Sequence, residues 1–342
     1  MKKTDYNFLN NKVILLTGGT GSFGKNFVYR LVKKNCSPKK LIIFSRDEQK
    51  QFFLKEKLKS LKLNKDYIRF FIGDIRDLGR LDLAFKDVDF LINSAAMKHI
   101  SSSEYNPFEC VKTNILGSQN IISSAINNNI KKVISISTDK AVNPCNLYGA
   151  SKLVSEKLFV NANFYCKSDE SRFAVVRYGN VVGSRGSVIP IFQDCVVKKK
   201  DIPITDEKMT RFWISLNQAV DFVISSLKEM SGGEIFIPKI PSMKVTDIAK
   251  AIAPDLKQKY IGMQPGEKLA ECLISSDESN ITYELNDRFL IINNDLKKKI
   301  SQAKQWKKVK TGFNYSSDTN KLWLSNSDIH DLISEDNAKK NL

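Results

Sequence analysis

Three glycines near the start of the chain, Gly18, Gly21 and Gly24, constrain the fold more than any other feature. They follow an apolar stretch over 13–17, and the residues behind them, FGKNFVYRLV, have the apolar spacing of an amphipathic helix. Glycines at such a turn let the backbone approach a pyrophosphate, whose charge the helix N-terminus stabilises. A glycine triplet alone is weak evidence, but the strand–turn–helix context favours a dinucleotide-binding motif. The opening of the chain therefore predicts an α/β fold of the Rossmann type.

Strand and helix patterns alternate through the first half of the chain. After the first strand we expect strands at 41–45, 69–72, 88–92, 133–136 and 173–178, and helices at 48–61, 107–128 and 152–164. Six such units build a doubly wound parallel sheet that binds ligands at the carboxyl ends of its strands. From residue 179 the glycine-rich sequence GNVVGSRGSVIP is not periodic. We predict an NADP-binding Rossmann domain over 1–180 and 212–238, with a smaller substrate-binding lobe and C-terminal tail over 181–211 and 239–342.

The end of the second predicted strand carries residues that can read the ribose of a dinucleotide. Arg46 and Asp47 lie roughly 20 residues beyond the last glycine, where that ribose is bound. An acid there favours the free 2′-hydroxyl of NAD, and an arginine favours the 2′-phosphate of NADP. Arg46 comes first, so we expect NADP. For Asp47 the alternative role of a surface ion pair stays open. Asp74, after the third strand, either accepts from the adenine amino group or caps the following turn.

The stretch VISISTDKAVNPCNLYGASK, residues 133–152, concentrates groups that handle protons. Thr138, Asp139 and Lys140 follow a predicted buried strand. Tyr148 and Lys152 are four residues apart, which places them on one face of a helix. An ammonium beside a phenol lowers the pKa of the phenol from about 10 and prepares it to accept a proton from an alcohol. So many polar residues just past a buried strand indicate a catalytic site.

Other polar residues lie where the predicted pattern expects apolar ones. Ser94 and the alanines after it, in NSAAMKH, let a flat ring or ribose pass closely, while Lys98 there is costly unless it meets an anion or a carbonyl. We expect Asn114, on a largely apolar helix face, to fix the loop after the fifth strand. Candidate anion contacts in the second half are Arg185, Arg211 and Lys268.

Composition argues against several classes of protein. The net charge is +17, but the lysines are spread along the chain without a clustered basic face, so we expect no nucleic-acid partner. A positive field of this kind steers small polyanions such as a nucleotide diphosphate. No apolar run approaches the ~20 residues that span a bilayer, and we expect no signal peptide and no membrane insertion. Six cysteines without a regular framework predict reduced thiols in the cytoplasm, and two histidines argue against a metal site.

The motifs together resemble a known family. TGGTGSFG and the pair formed by Tyr148 and Lys152 resemble the extended short-chain dehydrogenase/reductase superfamily. Within it, SRDE, AAMKH, STDKA, NLYGASK, RYGNVVGSRGSV, ITDEKMTRFWI and GGEIFIPKIPSMK are similar to the inverting UDP-N-acetylglucosamine 4,6-dehydratases, which start pseudaminic acid synthesis in bacteria. The similarity runs from about Val13 to Ser317. STDK is its sharpest part, because ordinary sugar epimerases have a Ser or Thr there without the adjacent Asp-Lys.

The resemblance implies a reaction in which the cofactor is recycled. Tyr148, assisted by Lys152 and Thr138, deprotonates the C4 hydroxyl of the sugar while NADP⁺ accepts hydride from C4. Hydride later returns to C6, and C5 is reprotonated from the opposite face. Because oxidation and reduction occur within one turnover, we expect NADP to be tightly bound.

The resemblance also implies the groups that remove water. Lys140 takes the C5 proton, which requires its pKa to fall towards neutrality through burial and through Lys98 or Lys152 nearby. Asp139 protonates the departing C6 hydroxyl. The net reaction is loss of water with inversion at C5.

Contact residues follow from the same resemblance. Besides the three glycines, the implied cofactor contacts are Thr20, Ser22, Phe23, Ser45, Arg46, Asp47, Glu48, Lys50, Asp74, Ile75, Ser94, Lys98, Tyr148 and Lys152. The implied contacts to the UDP-sugar are Lys98, Thr138, Asp139, Asn180, Arg211 and Glu267. The family pattern R-P-G-E-K-L-H-E has Gln264 and Ala270 here in place of Arg and His. Loss of one charged contact, about 1.5–3 kcal/mol, weakens binding roughly ten- to a hundred-fold.

Other functions remain open on the sequence alone. A UDP-hexose 4-epimerase needs only Tyr148, Lys152 and Thr138, which leaves Asp139 as a cap and Lys140 as a surface lysine. A retaining 4,6-dehydratase, which gives a product of the D-xylo configuration, is the other alternative enzyme. A silent NADP-binding sensor normally lacks the tyrosine–lysine pair, and a nucleic-acid protein has only the net charge in its favour. We expect UDP-N-acetylglucosamine as the ligand and a homo-oligomer as the assembly.

Overall fold

The structure is a computed structural model that describes residues 4–166, 171–184, 187–298, 300 and 305–340. Arg185, one of the predicted anion contacts, lies outside the described residues. The strands are β1 Val13–Thr17, β2 Lys40–Ser45, β3 Ile68–Ile72, β4 Phe90–Asn93, β5 Lys132–Thr138, β6 Arg172–Tyr178, β7 Asn180–Val181, β8 Ile202–Ile204, β9 Thr210–Ile214, β10 Ile235–Pro238, β11 Ser242–Lys244, β12 Gln258–Tyr260, β13 Cys272–Ile274, β14 Thr282–Glu284, β15 Arg288–Ile291, β16 Lys307–Lys308 and β17 Tyr315–Ser316.

Helices cover both faces of the main sheet and part of the second lobe. The helices are α1 Ser22–Lys33, α2 Glu48–Ser60, α3 Leu78–Ala84, α4 Ile100–Tyr105, α5 Pro107–Val111, α6 Gly117–Asn127, α7 Leu147–Asn161, α8 Val188–Lys198, α9 Leu216–Glu229, α10 Val245–Ile252, α11 Asn294–Lys297 and α12 Asn326–Lys340. Single turns of 3₁₀-helix cover Asn7–Leu9, Asp139–Ala141, Ala162–Phe164 and Asp277–Ile281. None of the helices within the described ranges is both long and apolar enough to cross a membrane.

The central sheet has ten strands in the order β16-β14-β15-β10-β6-β5-β4-β1-β2-β3. From β3 to β10 the strands are parallel, and β15, β14 and β16 continue the sheet with antiparallel pairing. β1 pairs in parallel with both β2 and β4, so the order in which successive strands are added to the sheet reverses at β1. A crevice at such a switch point, outside the carboxyl ends of the strands, is where doubly wound sheets bind ligands. The predicted fold class is confirmed.

Apolar burial explains why the first unit forms where it does. Every residue of β1 is buried, as expected for a parallel strand covered on both faces. On α1 the buried apolar residues Phe27, Val28 and Leu31 recur at helical spacing and belong to the core of the main sheet. Full burial of each such side chain contributes about 1.5–3 kcal/mol to folding. This packing fixes the glycine turn between β1 and α1.

A second lobe contains two small sheets, β11-β9-β7 and β12-β8, and its own apolar core around Phe192, Trp213 and Ile248. β14, β15 and β16 come from residues that the sequence assigned to this lobe, yet they extend the main sheet through the pairing of β15 with β10. The main sheet therefore crosses the predicted boundary at residue 239, and the division into domains stays a prediction.

One predicted helix is interrupted. The segment 107–128 consists of α5, a π-helical turn over Lys112–Leu116, and α6. Asn114 lies in the π turn, where its side chain accepts from the backbone N–H of Met97 at 2.8 Å and donates to Ser151 Oγ at 2.9 Å. Asn114 therefore fixes the loop after β4, and our prediction that it fixes the loop after the fifth strand is wrong. π turns of this kind are frequent at functional sites.

Candidate active site

A line of polar side chains crosses the carboxyl ends of three neighbouring strands. Thr17 Oγ1 on β1 donates to Asn93 Oδ1 on β4 at 2.6 Å, and Asn93 Nδ2 donates to Ser135 Oγ on β5 at 3.1 Å. Ser94, a predicted cofactor contact, donates from Oγ to the carbonyl of Thr17 at 2.6 Å. These buried groups satisfy each other and hold the three strand ends in register, which forms the floor of the site.

The glycine turn is shaped for a close approach by a ligand. Gly18 has φ +63°, and a Cβ there would lie 2.9 Å from backbone atoms of Ser94 and Ala95. Gly21 is the N-cap of the 12-residue helix α1, and no side chain caps that end. Because the first N–H groups of a helix bind anions, these residues fit the pyrophosphate of a dinucleotide.

Charged residues cluster where β2 and β3 end. Arg46 is more than half exposed, and its Nη1 lies 3.6 Å from Asp74 Oδ2. Asp74 also accepts from the backbone N–H of Arg76 at 3.0 Å, so it caps this turn. Burial would raise the pKa of Asp74, but Arg76 and Arg46 outweigh it and the pKa is lowered. Asp47 caps α2 through the N–H of Lys50 and pairs with the Lys50 ammonium at 2.6 Å, in agreement with its interpretation as an ion pair.

Two further predicted cofactor contacts are buried at the same edge. Ser45 ends β2, and its hydroxyl accepts from Gln51 Nε2 at 3.0 Å, a residue of α2 that the sequence did not single out. Gln51 also donates to the carbonyl of Phe71, which ties the ends of β2 and β3 together. Ile75 is buried against Gly117 at the start of α6. Both residues support the turn that presents Arg46.

The catalytic turn after β5 places an ammonium between two carboxylates. Thr138 Oγ1 donates to Asp139 Oδ1 at 2.9 Å, and Lys140 Nζ lies 3.1 Å from the same oxygen. On its other side Lys140 Nζ lies 3.1 Å from Glu271 Oε1. Asp139 is fully buried, and Glu271 is 2% exposed. Asp139 Oδ2 and Glu271 Oε2 are buried without a hydrogen-bond partner among the described residues.

Glu271 was missed by sequence reasoning. It is the last residue of GEKLAE, a segment in which the sequence analysis named Glu267 and Lys268 as contacts and Ala270 as a departure from the family pattern. Glu271 comes just before β13, in the second half of the chain, and nothing in its local sequence indicates that it faces Lys140. Only the folded arrangement of β5 and β13 brings the two residues together.

The charge environment of Lys140 is opposite to the one expected. Burial would lower its pKa, but Asp139 and Glu271 outweigh burial and the pKa of Lys140 is raised. Arg211 is a cation whose charge opposes the ammonium of Lys140. The fall in the pKa of Lys140 that its role as a base requires is therefore not present in the free protein, because two buried carboxylates stabilise its charged form.

Tyr148 is held close to this turn by the start of α7. Asn146 caps α7 by accepting from the N–H of Gly149 at 2.8 Å. A Cβ on Gly149 would lie 2.2 Å from the carbonyl oxygen of Lys140, so only glycine allows the helix to pack this closely on the turn. Burial raises the pKa of Tyr148 to about 12, although the charge of Lys140 and a hydrogen bond with Thr138 lower it.

Lys152 also differs from its predicted state. Its Nζ donates to the carbonyl of Ile136 on β5 at 2.8 Å, and the residue is 4% exposed. Burial lowers the pKa of Lys152 to about 8, partly opposed by Glu156 one turn further along α7. Glu156 is itself paired with the buried Arg177 at 2.6 Å. The charge of Lys140 lowers the pKa of the Tyr148 phenol, but burial outweighs it, so the prediction that the phenol pKa falls below about 10 is wrong.

The predicted sugar contacts lie on different elements around the turn. Arg211 on β9 is buried, and its Nη1 donates to the carbonyls of Thr210 at 2.7 Å and Leu269 at 3.1 Å. Asn180 on β7 pairs with Trp213 on the same β9 strand. Lys98 is exposed in the turn before α4, where burial and the charge of Lys98 lower the pKa of His99. The structure brings Thr138, Asp139, Lys140, Tyr148 and Arg211 together, while Lys98 lies in a different turn.

The loop between β12 and β13 lies against the catalytic turn. Lys268 Nζ donates to the carbonyl of Val142 at 2.7 Å, and Asn146 Nδ2 donates to the carbonyl of Gly266 at 2.8 Å. Glu267 Oε2 accepts from the N–H of Gln264 at 3.0 Å, so these two residues stabilise the loop itself. Within the described part of the chain, no group of three or more His, Cys, Asp or Glu residues could hold a metal ion.

Comparison with known proteins agrees with this geometry. Residues 14–293 match the family described as polysaccharide biosynthesis protein. An inverting UDP-N-acetylglucosamine 4,6-dehydratase of Campylobacter jejuni is 52% identical over 332 residues, which cover 95% of this chain and 98% of the relative. A UDP-glucose 4-epimerase of Rickettsia bellii is 40% identical over 287 residues, 82% of this chain and 83% of the relative. The X-ray structure of Pen from Bacillus thuringiensis is 39% identical with a TM-score of 0.87, covering 96% of this chain and 99% of that one.

The similarity to the Campylobacter jejuni enzyme spans nearly the whole chain, and the match to the family spans most of it. The resemblance predicted from the motifs is thereby confirmed. The chain belongs to the polysaccharide biosynthesis protein family, together with the inverting UDP-N-acetylglucosamine 4,6-dehydratases.

Proposed function

We propose that the protein is an inverting UDP-N-acetylglucosamine 4,6-dehydratase, a hydro-lyase that forms UDP-2-acetamido-2,6-dideoxy-β-L-arabino-hexos-4-ulose. The observation that carries this proposal is the position of Lys140, 3.1 Å from both Asp139 and Glu271 and electrostatically coupled to Tyr148. An elimination needs a base and an acid side by side, and this turn supplies both. The 52% identity to a relative of that name supports the same assignment. The product is suited to the first step of pseudaminic acid synthesis.

The cofactor in this proposal is NADP, tightly bound and recycled in each turnover. When bound, the nicotinamide accepts hydride from C4 of the sugar and returns it to C6. The turn from Gly18 to Gly24 would hold the pyrophosphate, and Arg46 would meet the 2′-phosphate as a planar guanidinium. The remaining proposed contacts are Thr20, Ser22, Phe23, Ser45, Asp47, Glu48, Lys50, Asp74, Ile75, Ser94, Lys98, Tyr148 and Lys152.

Tyr148 is the proposed base for the first proton. Its phenol hydrogen-bonds with Thr138 and is stabilised as an anion by the charge of Lys140, both of which oppose the effect of burial. Lys152 packs one helical turn away and is anchored to β5 through Ile136. This arrangement orients the phenol towards the C4 hydroxyl, whose proton it takes.

Lys140 and Asp139 are the proposed base and acid for loss of water. The Lys140 ammonium passes a proton to the Asp139 carboxylate, which leaves a neutral amine beside a carboxylic acid. Lys140 then takes the C5 proton, made acidic by the C4 ketone, and Asp139 gives its proton to the C6 oxygen as the C5–C6 double bond forms and water departs. Loss of water thus returns Lys140 to the ammonium and Asp139 to the carboxylate. A solvent-derived proton added to C5 from the opposite face then gives the L-arabino product, and it balances the proton that Tyr148 took from the C4 hydroxyl.

The UDP-sugar is proposed to contact Lys98, Thr138, Asp139, Asn180, Arg211 and Glu267. The net charge of +17 favours approach of the diphosphate. Cytoplasmic location, assembly as a homo-oligomer and the absence of nucleic-acid or membrane partners stay predictions.

The second candidate is a UDP-hexose 4-epimerase, favoured by the 40% identity to a relative named UDP-glucose 4-epimerase. That reaction needs Tyr148, Thr138 and Lys152 but no acid and base at C5 and C6. It gives no reason for Asp139, Lys140 and Glu271 to be buried together.

The test is to incubate the pure protein with UDP-N-acetylglucosamine in deuterium oxide without added cofactor. We expect loss of one water and a 4-keto-6-deoxy product with the L-arabino configuration and deuterium at C5, identified by mass and NMR. A D-xylo product would assign a retaining dehydratase, and a C4 epimer would assign an epimerase. Either outcome contradicts the proposal.

The cofactor assignment has its own test. Denaturing the pure protein should release NADP in near-stoichiometric amount. Arg46→Ala should weaken NADP roughly ten- to a hundred-fold more than NAD, since one charged contact to a phosphate is lost. Arg69→Ala, on an exposed residue of β3, is the control. Equal weakening of both cofactors would show that Arg46 only shapes the loop.

A further inference from the structure

We infer that Glu271 is a positioning residue for the dehydration, which holds Lys140 in place and keeps it protonated until the C5 proton is to be removed. The inference rests on the proposed function and deepens it, because it gives a role to a carboxylate that the two-residue acid–base account leaves unused. It starts from the contact between Glu271 Oε1 and Lys140 Nζ at 3.1 Å.

The backbone of Glu271 is fixed from both sides. Its N–H donates to Ser317 Oγ at 3.0 Å, and its carbonyl accepts from the N–H of Ser317 at 2.8 Å. Ser317 is fully buried, and its hydroxyl is bound to that of Thr210 at 2.8 Å. A carboxylate held this rigidly fixes the amine it contacts, because few other orientations of the Lys140 side chain keep both ion pairs.

The side chain of Glu271 contacts the catalytic turn. It is buried, and among the described residues its ion-pair partner is Lys140. Its second oxygen is buried without a hydrogen-bond partner in the described part of the chain. A buried carboxylate with one unsatisfied oxygen costs folding free energy, so its presence indicates a use beyond stability.

The groups that face Lys140 come from four elements. Asp139 belongs to its own turn, Glu271 precedes β13, Arg211 lies on β9 and Tyr148 on α7. The two carboxylates stabilise the ammonium, whereas Arg211 opposes it. Without the Glu271 carboxylate, Asp139 alone would oppose the effects of burial and of Arg211, so the pKa of Lys140 would fall.

This environment controls when the base is available. The proton transfer from the Lys140 ammonium to the Asp139 carboxylate forms the amine and the acid together. Glu271 opposes that transfer by stabilising the charged amine. As the pH falls, the cluster of Lys140, Asp139 and Glu271 takes up a second proton, which leaves Lys140 charged while Asp139 is protonated. The charge of Glu271 favours this uptake. Wild-type elimination should therefore weaken at a higher pH than in a protein without the Glu271 charge.

The test compares pH profiles of C5 deuterium incorporation for wild type, Glu271→Gln and Glu271→Asp with UDP-N-acetylglucosamine in deuterium oxide. For Glu271→Gln we expect the acid limb to move about one to three pH units to lower pH, because one close opposite charge is gone. Its plateau rate should also fall, since Lys140 is less well oriented. Glu271→Asp, which keeps the charge but withdraws it, should give a smaller shift in the same direction, and it replaces the Gln variant if that protein does not fold. Glu284→Gln, which removes an exposed partner of Lys239, is the matched control.

Each outcome decides the question. An acid limb that moves as expected in the Glu271 variants and not in Glu284→Gln supports the inference. A lower plateau with an unmoved limb would show a merely structural residue, and an unchanged profile would show no role, and both overturn it. Wild-type protein that forms no inverted product in the same assay would refute the proposed function itself, which separates the two failures.

Discussion

Lys140 and Lys152 lie on either side of Tyr148 in the sequence, the first partly buried and the second buried, yet their pKa values are shifted in opposite directions. Lys140, in the turn after β5, faces two carboxylates and its pKa is raised. Lys152, on α7, donates to a backbone carbonyl, and burial lowers its pKa to about 8. Its nearest carboxylate, Glu156, is already neutralised by Arg177. Because burial acts on both lysines, the number of unneutralised carboxylates in contact determines which of them has the higher pKa.

The same fold thus shifts the pKa values of two lysines that are close in the sequence in opposite directions. The pKa of Lys140 depends on Glu271, which comes from a distant part of the chain. The environment of Lys152 is formed by α7 and by β5 and β6 of the main sheet, which follow one another closely in the chain. Of the two lysines, Lys140 is therefore the one whose pKa depends on long-range contacts.

Replacing the two lysines in turn should give the largest effects and stop the reaction at different steps. Lys140→Met should reduce turnover by about 10²–10⁴-fold, the usual cost of losing a general base. C4 oxidation should slow much less, since it loses only the charge that stabilises the Tyr148 phenolate. Lys152→Met should instead slow C4 oxidation, because it removes the anchor of α7 beside Tyr148. Stopped-flow absorbance of reduced nicotinamide separates the two steps. Variants that stop at the same step would remove the functional distinction between the lysines.

Asp139→Asn tests the acid that shares a proton with Lys140. The amide has nearly the same shape but cannot donate an acidic proton to the C6 oxygen, so we expect turnover to fall about 10²-fold or more. Substrate binding should be unchanged, and reduced nicotinamide should accumulate in a burst that does not decay. Turnover close to the wild-type rate would make Asp139 a structural cap and assign the proton to another group.

Gly149→Ala tests how closely α7, which carries Lys152, packs on the turn that carries Lys140. A methyl group there would lie 2.2 Å from the Lys140 carbonyl oxygen, so the turn or the helix must move. We expect a loss of about 1–3 kcal/mol in the free energy of unfolding, the usual cost of overpacking. Gly79→Ala is the control, because its methyl group would approach other atoms no closer than 3.7 Å. Equal stabilities of the two variants would contradict the close packing of α7 on the turn.

The pH dependence of stability gives the smallest effect and a clear sign. Between the folded pKa of Lys152, about 8, and its unfolded value, about 10.4, the unfolded chain binds more protons than the folded one. Lys152 should therefore make wild type more stable relative to Lys152→Met as the pH rises from 8 to 10, by up to about 1.4 kcal/mol per pH unit. Lys140 has a raised pKa, so its contribution is fully present below about pH 10.4 and is lost only above that value. The stability difference between wild type and Lys140→Met should be constant from pH 7 to 10, as measured by denaturant unfolding.

Much of the fold follows from local patterns in the sequence. The expected strand at 13–17 coincides with β1, and the strand expected at 41–45 begins one residue earlier as β2, because a continuous apolar run between turns is sufficient to define a buried parallel strand. The interruption of the helix at Asn114 could not be predicted, since it depends on a hydrogen bond to Met97 in another loop. The pairing of β15 with β10 likewise depends on contacts that no local pattern encodes.

The candidate site shows the same limit. Thr138, Asp139, Lys140 and Tyr148 were predicted from a short stretch and do lie together, because the end of β5 and the start of α7 are adjacent in the chain. The raised pKa of Lys140 was not predicted, because it depends on Glu271, which is distant in sequence. The pKa of Tyr148 was predicted wrongly, since the i, i+4 spacing to Lys152 does not report how deeply the phenol is buried.

The opposite pKa shifts of the two lysines can be measured directly. Lysine labelled with ¹³C at Cε gives NMR signals that titrate with the amine, and Lys140→Met and Lys152→Met assign the two signals. In the free protein we expect the Lys152 signal to titrate near pH 8. The Lys140 signal should stay that of an ammonium up to at least pH 10. A Lys140 signal that titrates near neutrality while Lys152 stays charged would contradict the account.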